Sequence, residues 1–499
     1  MERQFTKEIE SLRLGDGETF HGEGILAVTK ALLQSGVSYV GGYQGAPVSH
    51  LLDVMVQARD YLDGLGVHVE ACTSEASAAA MLGASINYPA RGAVTWKSIV
   101  GTNVAADALS YLASAGVMGG TLIVLGEDYG EGGVVAQERS HAFALKSMMW
   151  LLDPRPNLAT ITDMVERGFE LSEASNTPVM MELRIRACHV RGSFRTKENL
   201  APAVSAKHPL EGPPAEFIYD RLAHPPATFR QEKLKSEVRL PAARKFILER
   251  GLNEVFPGTE EIGIVVQGGL YNGLMRALRA LGLADAFGAS RLPILALNVV
   301  YPLVPEELIG FCGDKKAVLV LEEGQPEFIE QEIATCLRRA DVQAKLHGKD
   351  CMHMAGEYNV EAMVRGIARF VGEHTPVVKL AAHHDTGRGE ASSAEATFLV
   401  GYAVMFLLYM SILVYAVNVL RSVVHEKTSR VVEIMVSAVK PRSLMLGKIL
   451  PYVVIGYVQM TLILAIGRFG FGVPMGGSMS ITRITIPGRT LDRFGKPGA

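Results

Sequence analysis

"GAVTWKSIVGTNVAADALSYLASAGVMGGTLIVLGED", Gly92 to Asp128, decides the fold. Its two ends, "GAVTWKS" and "GTLIVLGED", are short apolar runs of strand character, and between them "NVAADALSYLASAG" carries its apolar residues at helical spacing. A strand, a helix and a strand in that order make a parallel pair with a crossover. The alternation continues upstream. "GEGILAVTKALLQSG" is helical, "VSYVGGYQGAP" is a strand ending in a Gly/Pro loop, and "VHVEACTSEASAAAMLGASINYPA" is a strand followed by a helix. A parallel α/β sheet covered on both faces is therefore expected. Ligands of such sheets sit beyond the carboxyl ends of the strands. The loops there are "GYQGAPVSH", "ACTSE", "TWKSIVGTN" and "GEDYGEGGVVAQERSH". Glu75 belongs to that rim. It also heads the run Ala76 to Ser85, which reads as a helix with Thr73 as N-cap, and an acid in a first turn complements the helix dipole.

The rest of the chain bounds the class. It has 499 residues, 48% of them hydrophobic, and a formal net charge of -3, which fits about three domains and gives no electrostatic case for nucleic acid. The cysteines Cys72, Cys188, Cys312, Cys336 and Cys351 lie far apart, with no C-x-x-C pair, so no metal centre is signalled and a reducing compartment is expected. The charged start "MERQFTKEIESLRLGDGE" predicts no signal peptide. Residues 196–258, rich in proline and charge, read as a connecting arm. "EIGIVVQGGLYNGLMRALRALG", "LPILALNVVYPLVPEELIGFCG" and "KAVLVLEEGQPEFIEQEIATCLRRA" then repeat the strand–turn–helix pattern as a second, smaller α/β domain over 259–370. Its "QGG" lacks the G-x-G-x-x-G spacing and reads as a packing turn.

The motifs "GYQGAPVSH", "SEASAAAMLGAS", "ARGAVTWKSIVGTNVAAD", "LIVLGEDYG…AQER", "VLEEGQPEFIEQ" and "HGKD…GEYN" occur in an order that resembles the α subunit of indolepyruvate:ferredoxin oxidoreductase, over about 15–370. That family belongs to the thiamine-diphosphate-dependent 2-oxoacid:ferredoxin oxidoreductases. The resemblance implies a pyrimidine-binding α/β domain over 15–195 and a transketolase C-terminal-like domain over 259–370. It implies oxidative decarboxylation of a 2-oxoacid, with a beta subunit and ferredoxin as partners. Glu75 stands where the family has the glutamate that hydrogen-bonds the cofactor's aminopyrimidine and activates it. Arg139 matches an arginine near the substrate carboxylate, where a bidentate clamp suits it. Pro47 matches the cofactor loop, preceded here by Ala46 where the family usually has threonine. Lys97 and Asn103 match a further cofactor loop, with one residue inserted. The family's Mg²⁺–diphosphate segment and its iron–sulfur cysteines have no counterpart here. The resemblance thus predicts a thiamine diphosphate site shared with a separate diphosphate-binding chain, and no metal ligands in this one.

A composition shift follows a linker at 371–396. "TFLVGYAVMFLLYMSILVYAVNVL", Thr397 to Leu420, and "ILPYVVIGYVQMTLILAIG", Ile449 to Gly467, carry no charge and have the length of membrane-spanning helices. With the "E-K-x-x-x-x-x-E…P…L-x-x-G-K" pattern between them, 397–478 resembles the permease of an ABC-2 type exporter, here a two-helix transmembrane hairpin followed by a polar tail at 479–499. The loop residues Arg421, Lys427, Arg430, Lys440, Arg442 and Lys448 favour the cytoplasmic side. That topology would send the α/β half outside, whereas a ferredoxin-dependent enzyme is cytoplasmic. The expectation is a truncated α subunit joined to a permease fragment near residues 376–395, the soluble part cytoplasmic and the hairpin, if inserted, in the cytoplasmic membrane. The alternatives are a permease fragment carrying a soluble α/β module, or a non-catalytic membrane-tethered module.

Overall fold

Continuous apolar runs become the strands of two sheets, and the periodic segments between them become the helices that cover them. The computed structural model describes residues 4–130, 136–137, 139–209, 218–222, 224–374, 381–383 and 483–485. Two units result: Met1–Leu380 with Ile486–Gly488, and Ala381–Thr485 with Arg489–Ala499. In the first unit the strands are β1 (Thr19–Glu23), β2 (Tyr39–Gly42), β3 (His68–Ala71), β4 (Gly92–Lys97), β5 (Thr121–Gly126), β6 (Trp150–Leu152), β7 (Val179–Leu183), β8 (Arg191–Arg195), β9 (Glu254–Phe256), β10 (Ile262–Gln267), β11 (Ile294–Leu297), β12 (Val299–Tyr301), β13 (Ala317–Leu321) and β14 (Lys345–His347).

The larger sheet has the order β12-β6-β7-β5-β4-β2-β3. Every pair in it is parallel except β12 with β6. The opening stretch forms its centre: β4 and β5 run from Gly92 opposite Thr121 to Lys97 opposite Gly126, with the helix Val100–Ala115 as crossover. All of β5 and β7 is buried, as expected of strands covered on both faces. The smaller sheet, β14-β13-β10-β11-β9, is parallel apart from the edge strand β9.

The sheets depart from the expected domain boundaries. β9 lies inside the expected arm yet pairs with β11, and β12 leaves the second domain to pair with β6 of the first. Asn298 makes the switch. Its backbone oxygen accepts from Asp153 N (2.9 Å), its Oδ1 accepts from Arg155 N (2.9 Å), and its Nδ2 donates to Leu252 O (2.9 Å). Within the arm, Ala227–Leu234 and Leu240–Arg250 are helical. Arg239, within it, donates to the carbonyls of Ala113, Ser114 and Ala115, completing the carboxyl end of the crossover helix with a cation where the dipole favours one. "QGG" is a packing turn, with Gly268 and Gly269 pressed on Asp153 and Arg184.

One helix also differs. Ala76 to Ser85 divides into Glu75–Met81 and Ala84–Asn87. Leu82 N and Gly83 N bond to Ala79 O and Ala80 O three residues back, a tighter turn placed where glycine weakens the helix. The N-cap is Ser74 rather than Thr73: Ser74 is extended and its hydroxyl accepts from Ser77 N.

The expected hairpin at 397–478, with its spans 397–420 and 449–467, lies outside the described residues, as does the tail at 479–499 apart from Arg483–Thr485. That segment pairs antiparallel with Ala381–His383 within the second unit. Among the described residues no helix is long and apolar enough to cross a membrane.

Candidate active site

The carboxyl ends of β2 to β5 and β7 form one rim, and the sequence-predicted residues sit along it. The loop after β2 folds back over β4 and β5. Gly45 lies so close to Lys97 that a Cβ would stand 2.5 Å from that residue's own Cβ, and Pro47 packs on Gly126, the last residue of β5. Ala46, Pro47 and Lys97 are thereby brought together.

Glu75 stands at the start of the helix Glu75–Met81. Its fixed place comes from two features. Ser74 caps the helix, an interaction typically worth about 1 kcal/mol. Gly101, at the start of the crossover helix, lets the two helices close up, since a Cβ there would meet Glu75 Cγ at 2.9 Å and the Trp96 ring at 2.4 Å. Glu75 is 8% exposed, and no hydrogen bond or ion pair to its carboxylate is found among the described residues. Tyr43, after β2, and Val100 and Val104, on the crossover helix, expose apolar side chains.

Arg139 and Asn103 share a different feature, a cleft of about 700 Å³ walled also by Ile99, Gln325 and Phe328. Glu75 is not part of its wall. Arg139 is buried and heavily engaged: Nη1 donates to Glu322 Oε1 and Pro326 O, each at 2.6 Å, Nη2 faces His141 Nδ1 at 3.4 Å, and the guanidinium lies over the Phe328 ring. Burial and then the Arg139 cation keep His141 neutral, well below its ordinary pKa. The loop carrying Ala46 and Pro47 packs on Lys97 and Gly126, Glu75 packs on Gly101, and Arg139 and Asn103 line the cleft.

Several partners were not anticipated. Glu322 also accepts from Ile329 N and Glu330 N at 3.0 Å, holding the start of helix Phe328–Arg339. Glu323 binds Arg184 Nε (2.7 Å), Arg186 Nη2 (3.3 Å) and Tyr358 N (2.6 Å), while Arg184 Nη1 reaches Asp153 at 2.6 Å. Lys349 donates to Glu322 O (2.6 Å), Gly324 O (2.8 Å) and the Tyr358 hydroxyl (2.8 Å). Glu322, Glu323, Lys349 and Tyr358 come from "VLEEGQPEF" and "HGKD…GEYN", and through Arg139, Arg184 and Arg186 the two glutamates bolt the second sheet to the first. Glu127 ties the rim loops, accepting from Ser98 Oγ (2.7 Å), Ser140 N (3.0 Å) and the Tyr129 hydroxyl.

This α/β fold resembles that of 2-oxoacid:ferredoxin oxidoreductases. A solved 2-oxoglutarate:ferredoxin oxidoreductase from Magnetococcus marinus, with 2-oxoglutarate, coenzyme A and succinyl-CoA bound, matches with a TM-score of 0.52. That match has 16% identity over 71% of this chain and 65% of that one, and it bears on the fold alone. In sequence, the amino-terminal part of about 370 residues is similar to the α subunit of indolepyruvate ferredoxin oxidoreductase. Indolepyruvate oxidoreductase subunit IorA of Methanothermobacter thermautotrophicus is 27% identical over 367 residues, which are 72% of this chain and 56% of that subunit. The chain thus spans little more than half of that relative's length. Residues 367–488 match the family of ABC-2 family transporter proteins. The uncharacterised protein YhaP of Bacillus subtilis is 29% identical over 107 residues, 19% of this chain and 26% of its own length.

Proposed function

We propose that residues 15–370 supply the pyrimidine-side half of a thiamine-diphosphate-dependent arylpyruvate:ferredoxin oxidoreductase. The observation that carries this reading is Glu75, a residue 8% exposed at the rim whose carboxylate has no hydrogen-bond or ion-pair partner among the described residues. A rim carboxylate that has no protein partner is open to a ligand nitrogen that shares a proton with it. The rim fits the aminopyrimidine of thiamine diphosphate on that count. Glu75 would hold its ring nitrogen, with Ala46, Pro47 and Lys97 lining the opposite side. When bound, the cofactor serves as electron sink for decarboxylation of a 2-oxoacid.

The chain's own residues have separate tasks. Glu75 moves a proton at its carboxylate. Trp96 and the small residues Gly101 and Ala78 exclude water around it. Arg139 lines the cleft and meets the 2-oxoacid carboxylate through Nη2, whose one hydrogen-bonding contact among the described residues is His141 Nδ1 at 3.4 Å; Asn103 lines the same cleft. Exposed Tyr43, Val100 and Val104 are the surface on which a diphosphate-binding chain closes the site. Magnesium and iron–sulfur clusters find no ligand set among the described rim residues, and that part of the chemistry is assigned to the partner chains.

The test is reconstitution. The full chain is combined with the diphosphate-binding region and beta subunit of an indolepyruvate oxidoreductase relative, and ferredoxin reduction by indolepyruvate is followed. The expected result is turnover that needs both components. Tight thiamine diphosphate binding by this chain alone, or no turnover in a complex shown to assemble, would refute the reading. A second reading rests on the match at 367–488: a permease fragment of ABC-2 type carrying a soluble α/β module. A single continuous genomic read across codons 370–400 supports one fused chain, whereas a break there leaves two separate genes.

A further inference from the structure

Where β14 meets the end of helix Val360–His374, two imidazoles face each other. His347 Nε2 and His374 Nε2 are 2.8 Å apart, and a Glu373 carboxylate oxygen lies within 4.8 Å of both. His347 is buried and packs against the Phe370 ring, so it cannot turn away. Its other nitrogen, Nδ1, is 2.6 Å from Asp350 Oδ2. A carboxylate on Nδ1 keeps the proton there and turns a bare Nε2 lone pair toward His374 and Glu373. The same carboxylate–imidazole arrangement orients the histidine ligands of metal ions and raises their basicity.

We propose that His347, His374 and Glu373 form a binding site for a divalent transition-metal ion, oriented by Asp350. Two neutral imidazoles and one carboxylate suit zinc and its first-row neighbours, and a calcium or magnesium ion prefers all-oxygen donors. In the present geometry His374 Nε2–H donates to His347 Nε2. Binding moves the His374 proton to its Nδ1 through solvent and frees both Nε2 lone pairs. Tetrahedral coordination with bonds of 2.0–2.1 Å sets the two nitrogens about 3.3 Å apart, so the rings part by roughly half an ångström. His374 can make that movement, because it is the last residue of its helix and only half-buried. Glu373 must leave Lys345 Nζ, now at 2.5 Å, and an exposed pair of that kind is weak. The ion would staple the edge of the second sheet to the helix end. Glu373 and His374 fall within the segment 367–488 that matches the transporter family, and His347 belongs to the oxidoreductase-like part. The staple therefore sits where the two likenesses join.

The test uses the full chain in detergent, stripped by a chelator and titrated with Co²⁺, then Zn²⁺. One equivalent of Co²⁺ should give visible d–d absorption that Zn²⁺ bleaches. H374Q, at a half-buried helix end, should keep the fold by circular dichroism and lose the absorption. D350N keeps all three ligands and should weaken Zn²⁺ binding by roughly 10–100-fold. No stoichiometric binding by the parent chain, an unchanged Co²⁺ spectrum in H374Q, or an unchanged Zn²⁺ affinity in D350N would each overturn the proposal.

Discussion

The rim at Glu75 and the seam at Arg139 and Arg184 lie along the carboxyl ends of the same sheet and treat charge in opposite ways. At the seam the buried arginines are paired with carboxylates, although Arg139 Nε, Asp153 Oδ2 and Glu182 Oε1 make no hydrogen bond among the described residues. Arg184 is held by Asp153 and Glu323, and Arg139 by Glu322, with side chains of both ion-paired arginines 3% exposed or less. At the rim Glu75, a residue 8% exposed, has a carboxylate with neither an ion pair nor a hydrogen bond among the described residues. A buried charge persists cheaply only when paired. The seam therefore reads as construction, and the rim as a place kept for something that binds.

The largest effect should come from removing the proton-sharing group at the rim. Glu75→Gln keeps size and hydrogen bonding and loses the ability to carry a proton. In the reconstituted complex we expect turnover to fall by about 10²–10⁴-fold, the usual worth of a positioned acid–base group. Stability should stay within about 0.5 kcal/mol of the parent, because no native partner is lost. Turnover near the parent level in that variant would return Glu75 to a helix-terminus role and erase the contrast with the seam.

The opposite result is expected at the seam. Glu322→Ala leaves Arg139 buried without its anion and frees two amides at the start of helix Phe328–Arg339. Breaking a buried pair from one side costs about 3–5 kcal/mol. Denaturant unfolding of the full chain in detergent should register the loss in the first unit. A change below about 1 kcal/mol would mean that the seam is as lightly held as an exposed salt bridge.

Much of the rim was legible because its residues sit next to strand ends, and strand ends follow from apolar runs bounded by Gly/Pro loops. Local pattern placed the loops after β2 and β4, whereas Pro47, Lys97 and Asn103 were singled out within them only by the family resemblance. The seam was not legible. Arg139 and Glu322 are 183 residues apart, and Arg184 and Glu323 are 139 apart. No local periodicity records such a pair. β12 was hidden for a different reason. "ILALNVVYP" reads as one apolar strand, and only the hydrogen bonds of Asn298 show that it changes sheets in the middle. The N-cap was missed by one position. Thr73 and Ser74 both carry a hydroxyl, and backbone conformation, not residue type, chose Ser74. The histidine pair escaped notice because His347 and His374 are 27 residues apart, far outside the usual metal-ligand spacings.

The smallest effect separates the edge of the seam from its interior, and it appears as a pH dependence. Glu254 on β9 accepts from Arg155 Nε (2.6 Å) and Nη2 (2.7 Å), and from Asn298 Nδ2 (3.0 Å). The Arg155 guanidinium also lies over the rings of Phe256 and Tyr271. Burial pushes the Glu254 carboxyl up, but the hydrogen bonds from Arg155 and Asn298 outweigh it and hold the group below its ordinary value of 4.5. A carboxyl with a lower pKa folded than unfolded binds fewer protons in the native state. Its stabilisation is complete above the unfolded value and disappears as pH falls through the folded one. Because Glu254 is only half-buried, solvent screens the pair and the contribution is about 1 kcal/mol or less. Glu254→Gln should therefore be slightly less stable than the parent near neutral pH, and the two unfolding midpoints should converge as the solution is acidified below the ordinary carboxylate range. A gap that stays constant on acidification would show that Arg155 is held by the aromatic rings and Asn298 rather than by the charge of Glu254.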